Sequence, residues 1–106
     1  NISVANKPSN SCLASRIPYG NNITQEKLKK IEIAEEIVKE LFDISHVRVR
    51  DHGEIARIEV GRDEMEKMFN KIKLNQLDQK LKNIGFKYAS LDLYGYRSGQ
   101  LVVIND

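Results

Sequence analysis

The sequence predicts an α+β fold: a small three-stranded antiparallel sheet with helices packed on one face, in the order helix, strand, strand, helix, strand. Three observations predict it. A helix-period apolar stripe runs over residues 24–42. Two stretches that alternate apolar and polar residues then flank His52-Gly53. A second helical pattern over residues 63–83 leads into an extended apolar segment at 88–93.

Thr24 is a good N-cap, with Gln25 and Glu26 in the first turn. Leu28, Ile31, Ala34, Val38 and Leu41 follow at steps of three and four, which makes one buried stripe on a helix reaching about Phe42. In residues 46–51, Val47 and Val49 take one face and His46, Arg48 and Arg50 the other. In residues 54–60, Ala56, Ile58 and Val60 oppose Ile55, Arg57 and Glu59. With His52-Gly53 as a two-residue loop, the hairpin sets Val49 against Ala56, Val47 against Ile58, Arg48 against Arg57 and His46 against Glu59. Met65, Met68, Phe69 and Ile72 are expected to form one core stripe, continued by Leu77, Leu81 and Ile84, with Asn75 as the break and Gly85 as the C-terminal cap. The third strand is expected beside the first and antiparallel to it, with Ala89, Leu91 and Leu93 inward. A turn at 95–99 and an apolar extended piece at 101–104 complete the chain.

The 106 residues suit one domain with a modest core, and 41% hydrophobic with 30% charged residues is an ordinary globular composition. Cys12 is the single cysteine, so no internal disulfide forms, and a reducing, cytoplasmic setting is expected. No run is long enough to span a bilayer, and the start has no signal-peptide core. A net charge of +2 does not imply nucleic acid, and the strands lack the aromatic residues that stack bases, with Tyr88 and Tyr94 alone nearby. The chain starts at Asn1, and residues 1–23 are rich in turn formers such as Pro8, Pro18 and Gly20. The expectation is a linker or the end of a preceding domain over 1–23, a folded domain over 24–106, and a longer parent protein.

Two groups of residues carry chemistry. Cys12 lies in a polar stretch with Arg16 four residues on; a nearby guanidinium favours the thiolate, which attacks activated acyl groups. The alternative is a small cysteine with no chemical role. Arg48, Arg50 and Arg57 share one face of the hairpin, where a phosphate or sulfate is the natural guest. The alternative there is a solvated face neutralised by Glu59 and Asp92. His46 and His52 read as surface histidines without a ligand set. Glu59 and Asp92 are acidic enough to help hold a divalent ion, but ion pairing with the arginines is their simpler role. The chain has no glycine-rich phosphate loop and no Ser-Gly-Gly-x-Asp-Ser pyrophosphate loop, so it has nothing to cradle ATP.

Several blocks, in their order and spacing, resemble one known family. They are Cys-Leu-Ala-Ser-Arg-Ile-Pro-Tyr-Gly at 12–20, Val-Arg-Val-Arg-Asp-His-Gly at 47–53, Ala-Arg-Ile-Glu-Val at 56–60, and Leu-Asp-Leu-Tyr-Gly-Tyr-Arg-Ser-Gly at 91–99. The family is that of the LarE-type ATP-dependent sacrificial sulfur transferases, of the PP-loop ATP pyrophosphatase superfamily, and the resemblance covers nearly the whole chain. It implies that this is the C-terminal, substrate-binding and oligomerisation part of such an enzyme. ATP and magnesium would act in the N-terminal PP-loop domain. There a carboxylate of a pyridinium biscarboxylic acid mononucleotide is adenylylated, on the way to a nickel-pincer cofactor. It also implies that Cys12 is the sulfur donor, that Arg48 and Arg50 hold the substrate phosphate with Arg57 and Arg16 near, that Glu59 matches an acidic position tied to metal or subunit contacts, and that the protein forms homo-oligomers. This piece alone is expected to be inactive. The competing reading is an oligomerisation or binding module of another PP-loop synthetase, with no donor role for Cys12.

Overall fold

The structure, a computed structural model, describes residues 24–96. Cys12, Arg16 and the apolar piece at 101–104 lie outside the described residues. Helix α1 spans Gln25–Phe42, and the Thr24 side chain accepts from the Lys27 amide at 3.0 Å, satisfying one donor of the first turn. Leu28, Ile31, Ala34, Val38 and Phe42 form its buried stripe, while Leu41 is partly buried against the same core. Full burial of an Ile or Val of this kind contributes about 2 kcal/mol. The helix ends on Asp43 at φ 56°, a left-handed conformation that Asp tolerates better than most residues.

Strands β1 (Val47–His52) and β2 (Ile55–Val60) form the hairpin, and the two faces are as the alternation predicts. The register differs. Val49 faces Ile58, Val47 faces Val60, Arg48 faces Glu59 and Arg50 faces Arg57. The loop is Gly53-Glu54, one residue later than expected. Gly53 has φ +82° and no other hairpin residue has a positive φ, so the loop takes the form that needs glycine at its first central position only. A loop of His52-Gly53 with both central residues at positive φ would have strained His52. Asp51 reinforces the choice, its Oδ1 accepting from the Gly53 amide at 2.7 Å. Moving the loop by one shifts the pairing by two, so every side chain keeps its face.

The second helical region breaks at Phe69-Asn70 rather than at Asn75. A 3₁₀ segment covers Arg62–Met68, and helix α2 spans Lys71–Asn83. Asn70 is the reason: its side chain accepts from the Lys73 amide at 3.0 Å and caps a new helix. The break resets the apolar phase, so Met68 is buried while Phe69 and Ile72, expected in the core, are 68% and 72% exposed. Leu77 and Leu81 are buried as expected. At the end of α2, the Gly85 amide donates to Lys82 O and the Phe86 amide to Leu81 O, a Schellman pattern with Gly85 at φ +116°.

Strand β3 (Tyr88–Leu91) is where the expected topology fails. It pairs with β2, not β1, and runs parallel to it, giving a mixed sheet of order β1-β2-β3. β2, the helical crossover and β3 form a βαβ unit, and strands joined by such a crossover lie parallel when adjacent. Ala89 and Leu91 pack on the core, but Leu93 lies past the strand and is 90% exposed. The α+β class and the packing of the helices on one side of the sheet stand as predicted. Among the described residues, no helix is long and apolar enough to cross a membrane.

Candidate functional site

The helices cover one side of the sheet, so residues of opposite parity define an outer face. Register aligns them in rows across the strands. His52, Ile55 and Tyr88 form the row nearest the hairpin loop, and Arg50, Arg57 and Ser90 the next. Arg48 and Glu59 form a third, which Asp92 continues one residue past β3.

The middle of this face is a closed ion-pair set. Arg50 donates from Nε and Nη2 to the two oxygens of Glu59, both at 3.2 Å, and Arg57 Nη2 donates to Glu59 Oε2 at 3.0 Å. Asp92 Oδ2 lies 3.7 Å from Arg57 Nε. The Glu59 side chain is 2% exposed although it points away from the helices, because the two guanidinium groups lie over it. Such a carboxylate is tolerable only with this pairing.

Arg48 differs. Its Nη2 donates to the Tyr96 hydroxyl at 3.1 Å, and its guanidinium carbon lies 5.1 Å from the centre of that ring. Among the described residues it has no carboxylate within ion-pair distance. It opens onto a cleft of about 230 Å³ at the outer edge of β1, lined also by Lys39, His46, Glu35 and Tyr96. Glu35 reaches from α1 to accept the edge amide of Val49 at 2.9 Å, so the helix side chain, rather than another strand, covers that part of the edge.

Two devices position this corner. The Asp92 carboxylate accepts from the amides of Tyr94 and Gly95 at 2.9 and 3.1 Å, turning the chain after β3. Gly95, at φ +104°, then lies so close to β2 that a Cβ would stand 2.5 Å from Val60 O, and the Tyr96 amide donates to that oxygen at 2.7 Å. On the other side Glu64 fixes the entry to β1, accepting from the Ser45 and His46 amides and the Ser45 hydroxyl at 3.1–3.2 Å. Burial pushes the Glu64 carboxyl up, but those backbone and hydroxyl donors, with Lys67 beyond them, outweigh it and hold its pKa below the ordinary value. At the far row, burial and then Arg57 lower the His52 pKa, against the pull of Asp51, so its imidazole is neutral at neutral pH.

The structure therefore brings Arg48, Arg50, Arg57 and Glu59 together on one face, with Asp92 beside them. His46 stands apart: its ring nitrogen is 3.9 Å from Glu64. The metal role expected of Glu59 gains no further ligands, since among the described residues no group of three His, Cys, Asp or Glu side chains is placed to hold an ion. Sequence reasoning missed Tyr96, Gly95 and Glu35. The Asp-x-Tyr-Gly turn was a readable signal for Gly95, but nothing local announces that Tyr96 meets Arg48, 48 residues away.

Fold and face together define a small α+β module that presents a braced cationic surface beside an edge cleft. No protein-family model matches the chain. It is 42% identical over 90% of its length to an uncharacterized protein of Synechocystis sp.. It is 35% identical over 91% of its length to a Lactiplantibacillus plantarum protein named pyridinium-3,5-bisthiocarboxylic acid mononucleotide synthase. An uncharacterized protein of Methanocaldococcus jannaschii is 35% identical over 86% of the chain. The chain is thus related to these proteins along nearly all its length, yet it spans only about a third of theirs.

Proposed function

We propose that this chain is the substrate-holding part of a LarE-type sulfur transferase acting in nickel-pincer cofactor synthesis on a pyridinium mononucleotide. The observation that carries the reading is Arg48, a guanidinium on a braced arginine face that, among the described residues, meets a neutral hydroxyl and no carboxylate, with a cleft in front of it. An Arg has five N–H donors, so Arg48 and the Nη1 of Arg50, which Glu59 does not engage, are able to grip a phosphate monoester while Glu59 keeps the face from repelling itself. The relative's name, a bisthiocarboxylic acid mononucleotide synthase, supplies the substrate class and the transfer of sulfur to carboxyl groups.

Carboxyl activation with ATP and magnesium belongs to a PP-loop domain outside this chain, which has no phosphate loop of its own. Cys12, with Arg16 favouring its thiolate, attacks the activated carbonyl, and the activating group leaves. Loss of the Cα proton then breaks the Cβ–S bond, leaving dehydroalanine at position 12 and a thiocarboxylate on the product. Mass spectrometry of the full-length parent after turnover tests this. The expected result is loss of the elements of H₂S from the Cys12 peptide; an unmodified Cys12 in enzyme that has turned over overturns the donor role.

A second reading has its own observation. Phe69, Ile72 and Leu93 are 68%, 72% and 90% exposed, which favours a surface for self-association. If the chain is only an oligomerisation module, Phe69→Ser with Ile72→Ser changes the oligomeric state, and reversing the charges of Arg48 and Arg50 leaves phosphate binding unchanged.

A further inference from the structure

Open hollows run end to end along the solvent side of α1. The first, about 540 Å³, begins at Thr24 and is lined by Lys27, Lys30, Ile33 and Gly85. The second, about 530 Å³, shares Ile33 with it and adds Glu32, Glu36, Ile37 and Glu40. The third is the Arg48 cleft, which shares Glu35 and Lys39 with the second. Together they make a groove from the point where residues 1–23 join the described fold to the candidate site. Its middle is both apolar and acidic. Ile33 is 39% exposed, and Ile37, one turn on, is partly buried. Glu32, Glu36 and Glu40 stand at steps of four, which sets like charges side by side and costs stability unless a cation lies among them. Among the described residues, none of the three has a basic side chain within ion-pair distance.

We infer that residues 12–19 fold back along this groove, with Arg16 against Glu36 and Glu40, and bring the Cys12 thiol to the Arg48 cleft. The purpose rests on the donor reading above; the docking rests on charge and reach. Residues 1–23 carry Lys7 and Arg16 and no acidic side chain, and Leu13 and Ile17 stand near Arg16 as apolar partners for Ile33 and Ile37. Lys27 and Lys30 at the near end turn a cation away, so it belongs in the acidic stretch beyond them. Glu36 and Glu40 lie about 18 and 24 Å along the helix from Thr24. An extended chain spans about 26 Å from Thr24 to Arg16 and about 40 Å from Thr24 to Cys12, so both reach their places with slack for a bend. An exposed ion pair is weak alone. The covalent tether at Thr24 supplies the local concentration that a free peptide would lack.

Cys12 is the single cysteine, so a nitroxide attached to it shows where the segment lies in the whole chain by broadening nearby amide signals in the NMR spectrum. The amides of Glu36, Glu40 and Arg48 should lose most of their intensity. Glu36→Lys with Glu40→Lys, both at exposed positions, should restore those signals, and adding Arg16→Glu to that variant should bring the broadening back. Broadening that is absent, that falls on other elements alone, or that survives reversal of both glutamates overturns the docking. So does broadening in a mixture where the nitroxide sits on one chain and the observed isotope on another, which would give the groove to a second copy. The mass measurement on Cys12 described above reads the donor role by itself, so the failure of either reading is seen apart from the other.

Discussion

The centre and the corner of the arginine face use the same side chain for opposite purposes. At the centre, Arg50 and Arg57 saturate a nearly inaccessible Glu59. At the corner, Arg48 has a tyrosine hydroxyl and an open cleft. Both are held by the same hairpin, so the difference comes from what stands opposite. The lesson is that a cluster of guanidinium groups is not one site: some members brace the surface, and the one that meets no carboxylate among the described residues is the one able to recruit a ligand.

The comparison is broken most severely at Glu59. Glu59→Gln leaves two partly buried guanidinium groups without their shared anion, and urea unfolding should show a loss of about 3 kcal/mol. A loss below about 1 kcal/mol would mean that the pairing is ornamental. Next is the corner. Gly95→Ala sets a Cβ against Val60 O in a left-handed conformation, and should cost about 2 kcal/mol and uncouple Tyr96 from Arg48. Quenching or shift of the Tyr96 ring resonances against the parent chain reports the second effect, while the Arg50–Glu59 pairing should persist.

The smallest effect concerns the entry to β1. The folded Glu64 pKa lies below its unfolded value, so this carboxylate contributes stability at neutral pH that is fully present above the unfolded pKa. That contribution is lost as pH falls through the folded value. Glu64→Gln should therefore flatten the acid limb of the stability–pH curve and change little of its shape above it. An unchanged acid limb would show that the Ser45 and His46 amides do not discriminate the charged form.

Much of this was readable before any coordinates. Thr24 and Gly85 cap helices as their chemistry requires, and alternation alone placed Arg48, Arg50, Arg57 and Glu59 on one face. Local chemistry carried those conclusions. The register was missed because both His52-Gly53 and Gly53-Glu54 are two-residue loops, and only the φ of His52 separates them. Phe69 and Ile72 were misplaced because Asn70 restarts the helix and shifts the phase of the stripe. The neighbour of β3 and the contact between Tyr96 and Arg48 depend on tertiary packing, which no local pattern encodes. For Cys12 and Arg16, which lie outside the described residues, the reading still rests on sequence.

Phosphate binding by Arg48→Ala bears most directly on the division between centre and corner. The account predicts that this variant unfolds at nearly the same urea concentration as the parent chain, because Arg48 is outside the Glu59 network. Its affinity for ribose 5-phosphate should fall about tenfold or more, the loss expected for a charge-assisted hydrogen bond to the phosphate. Undiminished affinity, with the loss appearing in stability instead, would contradict it.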